Sequence, residues 1–481
     1  MRATRTGPLL AALTAAALLA AGCGQKPGVA EMYAGGAAAG AVGGAQPGAA
    51  ADAGLGGPAG PAGSAPGSAA GATTSGPTGT TTGGATGPGG AVAGSRGGGA
   101  GAAGSGASST SPGGDATGVT DTTIKIGIHA PVTGAAAFPQ QSFERAVGVY
   151  ADYINRKGGI YGRKIQIVFR DDRFDPNSAR TVCKEMVEQQ KVFMLVGAGG
   201  SDQIDACARY ANQLGVPYLS GGVHETRPGL GPLSALKTYF AGSLTYEQQV
   251  PLVARLVATE FRGQKSAVIM ADNDSMDNYY GLQVAAVRKV SGSNLVLARR
   301  IPKKTDVDAP SIATQICNSG AKVVVWNASP SGLINVSKSM TCQVTFVGPG
   351  NTNGLNIVAT GGCPNIDGAM FYSSFPGLDR IDQMDPAFRP AYRRKNNAEP
   401  DDIGVATWGN EKLIGMMLQA TGKQLTRQSF MATIGRVGRF DNGVFPATDY
   451  TRSRFGGTAM HLLEADCGSR QYRTKRLNER P

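Results

Sequence analysis

Residues 124–175 read IKIGIHAPVTGAAAFPQQSFERAVGVYADYINRKGGIYGRKIQIVFRDDRFD, and the order of periodicities in them leaves few folds open. Ile124, Ile126 and Ile128 alternate with Lys125 and Gly127, the period of two expected of a strand entering a buried sheet. A loop with Pro131, Thr133 and Gly134 follows. Over residues 142–155, Phe143, Ala146, Val147, Tyr150, Tyr153 and Ile154 recur at helical spacing and lay one apolar stripe along a helix, which Gly158 and Gly159 end. A second strand over residues 164–169 runs into Asp171, Asp172, Arg173, Phe174, Asp175 and Pro176, where Asp175 can cap a new helix and Pro176 suits its first turn. Strand, helix and strand in this order form a right-handed β-α-β unit, so the chain is α/β with a parallel sheet.

What precedes this unit has another character. Arg2 and Arg5 lead an apolar run over residues 9–21, too short for a permanent membrane span and flanked like a secretory signal. It ends in Leu19-Ala20-Ala21-Gly22-Cys23, which resembles the lipobox, in which the cysteine becomes the lipidated first residue of the mature protein. We read residues 1–22 as a lipoprotein signal peptide. Residues 23–118 are mostly Gly, Ala, Pro, Ser and Thr and cannot bury enough apolar surface to offset backbone ordering, so a disordered tether is expected. Its ~95 residues give a root-mean-square span of about 50 to 60 Å.

A strand ending in P-x-T-G, a helix closing on N-x-x-G-G-I-x-G-R-K and a strand running into D-D-x-x-D-P together resemble the leucine/isoleucine/valine-binding branch of the type I periplasmic binding proteins. The resemblance runs from about residue 122 to about residue 472. It implies two doubly wound parallel-sheet lobes joined by a three-segment hinge, with a ligand held between them. The β-α pattern agrees, because it restarts after residues 238–242 with a helix over 246–261 and a strand over 266–270. The expected domain spans residues 119–475. Lobe 1 takes about 119–240 and 374–440, lobe 2 about 241–373 and 441–475, and residues 476–481 are a basic tail.

Ligands of open α/β sheets bind outside the carboxyl ends of the strands, where helix N-termini point at them. Three strand ends, near Thr133, Ser201 and Gly222, share one expected edge. The loop Gly199-Gly200-Ser201 opens a helix, so its amides and the Ser201 hydroxyl suit a carboxylate. The resemblance places a carboxylate-binding serine at Ser201, small-residue contacts at Gly222 and Val223 beside His224, and a covering aromatic at Phe138. In lobe 2 it implies a tyrosine near Tyr279 and Tyr280. Where the family often has a second tyrosine this chain has Asn327-Ala328-Ser329, and where the family often has a glutamate for an ammonium it has Gly348-Pro349-Gly350-Asn351. Leucine, isoleucine and valine are therefore expected to bind weakly, unless Asp272, Asp274 or Glu225 replaces that glutamate. A polar, amide-like or aromatic acid fits better, with Trp326 also available to it.

Six cysteines besides Cys23 favour disulfides in an exported chain and allow fifteen connectivities. Proximity within the expected elements pairs Cys183 with Cys207, Cys317 with Cys342 and Cys363 with Cys467. Only three histidines occur and no C-x-x-C, so no metal is expected. No G-x-S-x-G elbow or phosphate-binding G-x-x-x-x-G-K-[ST] loop is present, and Asp171-Asp172 and Asp401-Asp402 read as solvated pairs, so no catalytic residue and no cofactor is assigned. The formal charge of +12 is scattered and argues for a basic surface near an anionic membrane, not for nucleic acid. The expected protein is a monomeric, extracytoplasmic solute-binding lipoprotein on the outer face of the cytoplasmic membrane. It would capture a small polar or amino-acid-like ligand, a small molecule, between its lobes and hand it to the permease of an ABC transporter or, alternatively, signal to a partner by lobe closure. Mass spectrometry of the mature N-terminus should find a diacyl or triacyl Cys23, and an unmodified terminus elsewhere would exclude the anchor.

Overall fold

In the computed structural model, which describes residues 114–134, 137–221, 231–303, 308–350 and 352–481, the alternating isoleucines form β1 (Thr123–Ala130), with Ile124, Ile126 and Ile128 buried. The leader, Cys23, the tether as far as residue 113, and Gly222, Val223, His224, Glu225 and Asn351 lie outside the described residues. The described residues belong to one compact unit, Ala100–Pro481. Asp115 is already anchored to it, its carboxylate 2.5 Å from Arg427 Nη1.

After β1 come α1 (Gln140–Ala146), α2 (Val149–Arg156), β2 (Lys164–Asp171), α3 (Pro176–Glu188), β3 (Met194–Gly197), α4 (Ser201–Gln213), β4 (Tyr218–Ser220) and β5 (Tyr239–Ala241). The five strands make a parallel sheet in the order β2-β1-β3-β4-β5. The chain then builds a second sheet from α5 (Tyr246–Glu260), β6 (Ser266–Ala271), α6 (Asp277–Ser291), β7 (Leu295–Ile301), α7 (Ala309–Ser319), β8 (Val323–Asn327), α8 (Pro330–Lys338), β9 (Thr345–Gly348), α9 (Asn356–Gly362) and β10 (Met370–Ser373). It returns for α10 (Leu378–Met384), α11 (Phe388–Asn396), α12 (Asp402–Thr421) and α13 (Arg427–Val437). The short ribbon of β11 (Arg439–Phe440) and β12 (Thr448–Asp449) leads back to β13 (Met460–Asp466) and β14 (Gln471–Glu479). The second sheet has the order β14-β13-β10-β9-β8-β6-β7, in which β13 runs antiparallel to both β10 and β14 and the other pairs are parallel.

Both sheets are covered on both faces, as continuous apolar strands require. On β8, Val323 and Val325 pack towards α5 and α6, while Val324 and Trp326 pack towards α7, α8 and α9. In the first lobe, α12 and α13 contribute Leu413, Ile414, Met417 and Phe430 to one face of the sheet. The opposite face holds α3 and α4, joined by Cys183–Cys207 with Cα atoms 5.9 Å apart. Cys317–Cys342 and Cys363–Cys467 also form, so the pairings expected from proximity are those present. Among the described residues His129, Cys183 and Cys207 converge, but both sulfurs belong to the disulfide. No described helix is long and apolar enough to cross a membrane.

Several expectations change. The single helix over residues 142–155 is two, broken at Gly148, which adopts φ +77°. The cause is distant in sequence: Glu411 of α12 accepts the Gly148 N–H at 2.6 Å and the Ala151 N–H at 3.1 Å, capping α2 from outside. Residues expected as a basic tail are largely strand, because β14 pairs with β13 and Arg476 bonds Glu260 and Glu479. The acidic pairs are not solvated surface. Asp172 is fully buried and bonds His129 Nδ1 at 2.7 Å, whose Nε2 meets Tyr218 Oη at 2.8 Å. Asp402 is buried and accepts the Asn356 N–H at 2.5 Å, while Asp401 caps α12 through the Gly404 N–H.

Burial raises the Glu411 carboxyl from an ordinary 4.5 to about 7. The folded chain therefore holds a proton there that the unfolded chain releases, and this contribution to stability falls as pH rises from about 4.5 to 7, then levels off. Glu411→Gln removes the titration at a pH-independent cost, since its amide can accept only one of the two N–H groups. Urea unfolding at pH 5, 6 and 7 should show the gap between parent and variant narrowing by up to about 1 kcal/mol per pH unit as pH rises. A constant gap would refute the assignment.

Candidate functional site

One cavity is lined by residues that follow the carboxyl ends of strands in both sheets. Phe138 follows β1, Phe174 follows β2, and Ala198, Gly199, Gly200 and Ser201 follow β3. From the other lobe come Asn273 and Met276 after β6, Lys303 after β7, Asn327 to Pro330 at the end of β8, and Thr352 after β9. With its open mouth included, the empty volume is about 740 Å3.

On the first-lobe wall, Gly200 stands at φ +80° just before α4, and a Cβ there would lie 2.2 Å from Gln203 Oε1. No side chain caps α4, so the amides of its first turn remain available together with Ser201. Phe138 lies against Gly199, where a Cβ would come within 2.6 Å of the ring.

On the second-lobe wall, Ser329 caps α8 by accepting the Gly332 N–H at 3.0 Å, so a second helix N-terminus borders the same cavity. Asn327 is buried, and its Nδ2 meets no acceptor at hydrogen-bond geometry although the phenols of Tyr246 and Tyr279 lie beside it. Asn273 is buried with Oδ1 unpartnered. Tyr246 lines the cavity from the first turn of α5, and burial pushes its phenol up to about 12, so it is neutral. Among the described residues no Asp or Glu lines the cavity.

The walls are tied together at the rim. Asp202 in the first turn of α4 accepts from Ser275 Oγ at 2.6 Å and from Lys303 Nζ at 2.6 Å, both on the other lobe. Asp402 of α12 makes a second tie through the Asn356 N–H at the start of α9.

Of the residues expected at the site, the structure brings together Phe138, Gly200, Ser201, Asn327 and Ser329. Thr133 is not among the lining residues: its N–H and hydroxyl bind Asp171, which also accepts from Val132 and Arg173 and folds the loop back on β2. Tyr279 is fully buried behind the wall, its ring tilted against that of Tyr246 with centroids 5.2 Å apart, and its hydroxyl bonded to Gln283. Tyr280 lies outside the lining under Arg300, and Trp326 is in the core of the second lobe. Asp272 does not replace the missing glutamate, because it pairs with Arg300 at 3.0 Å. Asp274 is exposed and outside the lining as well. Sequence reasoning missed Tyr246, Asn273, Met276 and Lys303. The Asn273 signal lay in the Asp272-Asn273-Asp274 loop after β6, where the amide and not the acids turned inward.

The sequence profile of the family described as Periplasmic binding protein matches residues 123–470. The chain is 29% identical over 218 residues to Leu/Ile/Val-binding protein homolog 7 of Brucella abortus (strain 2308), covering 43% of this chain and 53% of that protein. It is 24% identical over 280 residues to homolog 8 of the same strain, covering 56% and 64%. The chain thus spans about half to two thirds of these curated relatives. Among solved structures it is similar to a branched-chain amino acid transporter substrate-binding protein LivJ from Streptococcus pneumoniae in complex with isoleucine, with TM-score 0.62, 19% identity, and coverage of 74% of this chain and 100% of that one. It is also similar to a fatty acid ABC transporter substrate-binding protein from Thermomonospora curvata, with TM-score 0.63, 19% identity, and coverage of 76% and 95%. A solute binding protein from R. palustris in complex with benzoate gives 0.60, 17%, 74% and 96%. At these identities the solved structures establish the fold.

Asp202→Asn keeps the size of the side chain but removes the charge that holds Lys303 and Ser275. Because both partners are partly exposed, the tie is worth at most about 1 kcal/mol. Small-angle scattering should show a larger radius of gyration for the variant without added ligand, and ligand affinity should fall roughly two- to fivefold. An unchanged radius would show that the tie does not hold the lobes.

Proposed function

The chain belongs to the periplasmic binding protein family, and from that premise we propose that it captures a small organic acid between its lobes. The protein delivers this ligand to the permease of an ABC transporter while held to the outer face of the cytoplasmic membrane through an acylated Cys23 and its tether. It is a binding protein and not an enzyme.

The observation that carries the reading is the charge of the cavity. Two helix N-termini, at α4 and α8, border it and no described carboxylate lines it. Such a site favours a carboxylate at the Ser201 end and offers an ammonium no charged partner. Burying an unpaired ammonium costs several kcal/mol, more than a leucine side chain returns on burial. The ligands named for the solved neighbours, isoleucine and benzoate, have the carboxylate in common, and isoleucine alone adds the ammonium. Asn327, Asn273 and Tyr246 supply hydrogen bonds to the rest of the molecule.

Calorimetric titration with benzoate, hexanoate and leucine tests this. An acid without an amine should bind at about micromolar or better, leucine at least about a hundredfold more weakly. Ser201→Ala should weaken the acid by roughly tenfold or more, the loss of one charge-assisted hydrogen bond. Tight leucine binding that Ser201→Ala abolishes would overturn the proposal.

A further inference from the structure

We propose that the cleft is the front of a two-compartment site and that its ligand is an amphiphilic carboxylic acid, whose apolar body passes Phe138 into a second chamber on the first-lobe side. The inference rests on the carboxylate reading above and adds the shape and chemistry of the rest of the ligand.

A second cavity, of about 410 Å3 with its open mouth included, shares Phe138, Ala198 and Thr352 with the cleft. Phe138 is the partition. Its ring lies on Gly199 on one side and stacks with Phe143 at 5.5 Å on the other. Beyond it the chamber is walled by Phe143, Leu355, Phe375 and Ile403. These side chains are buried in one cluster, to which Leu355 comes from the second lobe and the other three from the first, with Phe143 stacked in turn on Phe169 at 5.9 Å. Such walls reward an apolar body and exclude a charged one.

The far wall carries two polar side chains of α12, Thr407 and Asn410. Asn410 of α12 spends its Nδ2 on the Ala406 carbonyl at 3.1 Å, which fixes the amide and leaves Oδ1 buried without a partner. The same amide lies over Gly221 at the end of β4, where a Cβ would come within 2.8 Å of Nδ2. An acceptor held in this way suits a hydroxyl or N–H at the end of the ligand remote from its carboxylate. The site therefore reads a length: an anion at Ser201, an apolar middle beside Phe138, and a donor at Asn410.

The test is calorimetry of the purified protein with butanoate, hexanoate, octanoate, phenylacetate and 4-hydroxyphenylacetate. Affinity should rise roughly three- to fourfold per methylene along the straight chains, and the hydroxylated ring should bind about tenfold tighter than the plain one. Ile403→Trp fills the chamber and should bring the octanoate-to-butanoate affinity ratio towards one. Asn410→Leu, a second and milder change, should erase the preference for the hydroxylated ring while preserving the length dependence. Acids that bind with no dependence on length, or an affinity ratio untouched by Ile403→Trp in a variant whose circular dichroism matches the parent, would overturn the second compartment and leave the carboxylate reading standing. Failure of every acid to bind would overturn both.

Discussion

The uncapped first turn of α4 is the constraint on which the binding site depends. A helix start is ordinarily satisfied by a side chain of its own loop, and here Gly200 stands where a capping residue would sit. Gly200 is needed for its backbone angle and for the room that Gln203 takes, so the sequence cannot recover the cap at that position. The amides must find their acceptor elsewhere. Because β3 is parallel to its neighbours, that elsewhere is the edge where the other lobe closes. Asp202, one residue on, then turns the same helix start into a rim contact by reaching Ser275 and Lys303. One short loop thus positions both the anion site and the tie across it.

How much of this was legible in the sequence follows from how local each cause is. The strands and helices of both lobes come from periodicity within a dozen residues and match the structure closely, down to Asp175 capping α3 through the Ser178 N–H at 2.7 Å. Ser201 and Gly200 were legible because a glycine loop between a strand and a helix acts through its own backbone. The break between α1 and α2 was not, because Glu411 acts from 263 positions away. Asp172 and Asp402 read as solvated because their burial depends on His129 and Asn356, which no local pattern connects to them. The two tyrosines of α6 were expected in the cleft and one fills the space behind it. Tyr246, at the start of α5, takes the place on the wall, which only the packing of α5 on α6 decides.

The energies involved separate fold from closure. The three disulfides lie within single lobes and leave the crossings between lobes free of covalent ties. Contacts across the gap include an ion pair, a hydroxyl on Asp202 and a backbone N–H on Asp402, each a small term beside the apolar burial that holds either lobe. A ligand that spans both walls can therefore decide the relative position of the lobes without competing against the stability of either.

Helix α12 carries that arrangement furthest. Its first turn reaches the second lobe through Asp402, Asn410 borders the inner chamber, and Glu411 holds α2 beneath the Phe138 loop. Lys412 and Trp408 both bond Asp385, each at 2.7 Å, and fix the helix against the segment that returns from β10. Burial raises both Asp402 and Glu411 to about 7, so the helix carries two carboxyls that prefer a proton, at its lobe contact and at its α2 contact. Ionisation of Asp402 strengthens its acceptance of the Asn356 N–H but leaves a buried charge stabilised by backbone amides and opposed by desolvation. The tie on this side of the cleft is therefore a compromise between hydrogen-bond strength and desolvation, whereas the Asp202 tie at the rim has a full countercharge in Lys303. The two sides of the cleft are held by different physics: the inner one by a buried acid against a helix start, the outer one by a partly exposed ion pair that salt can screen.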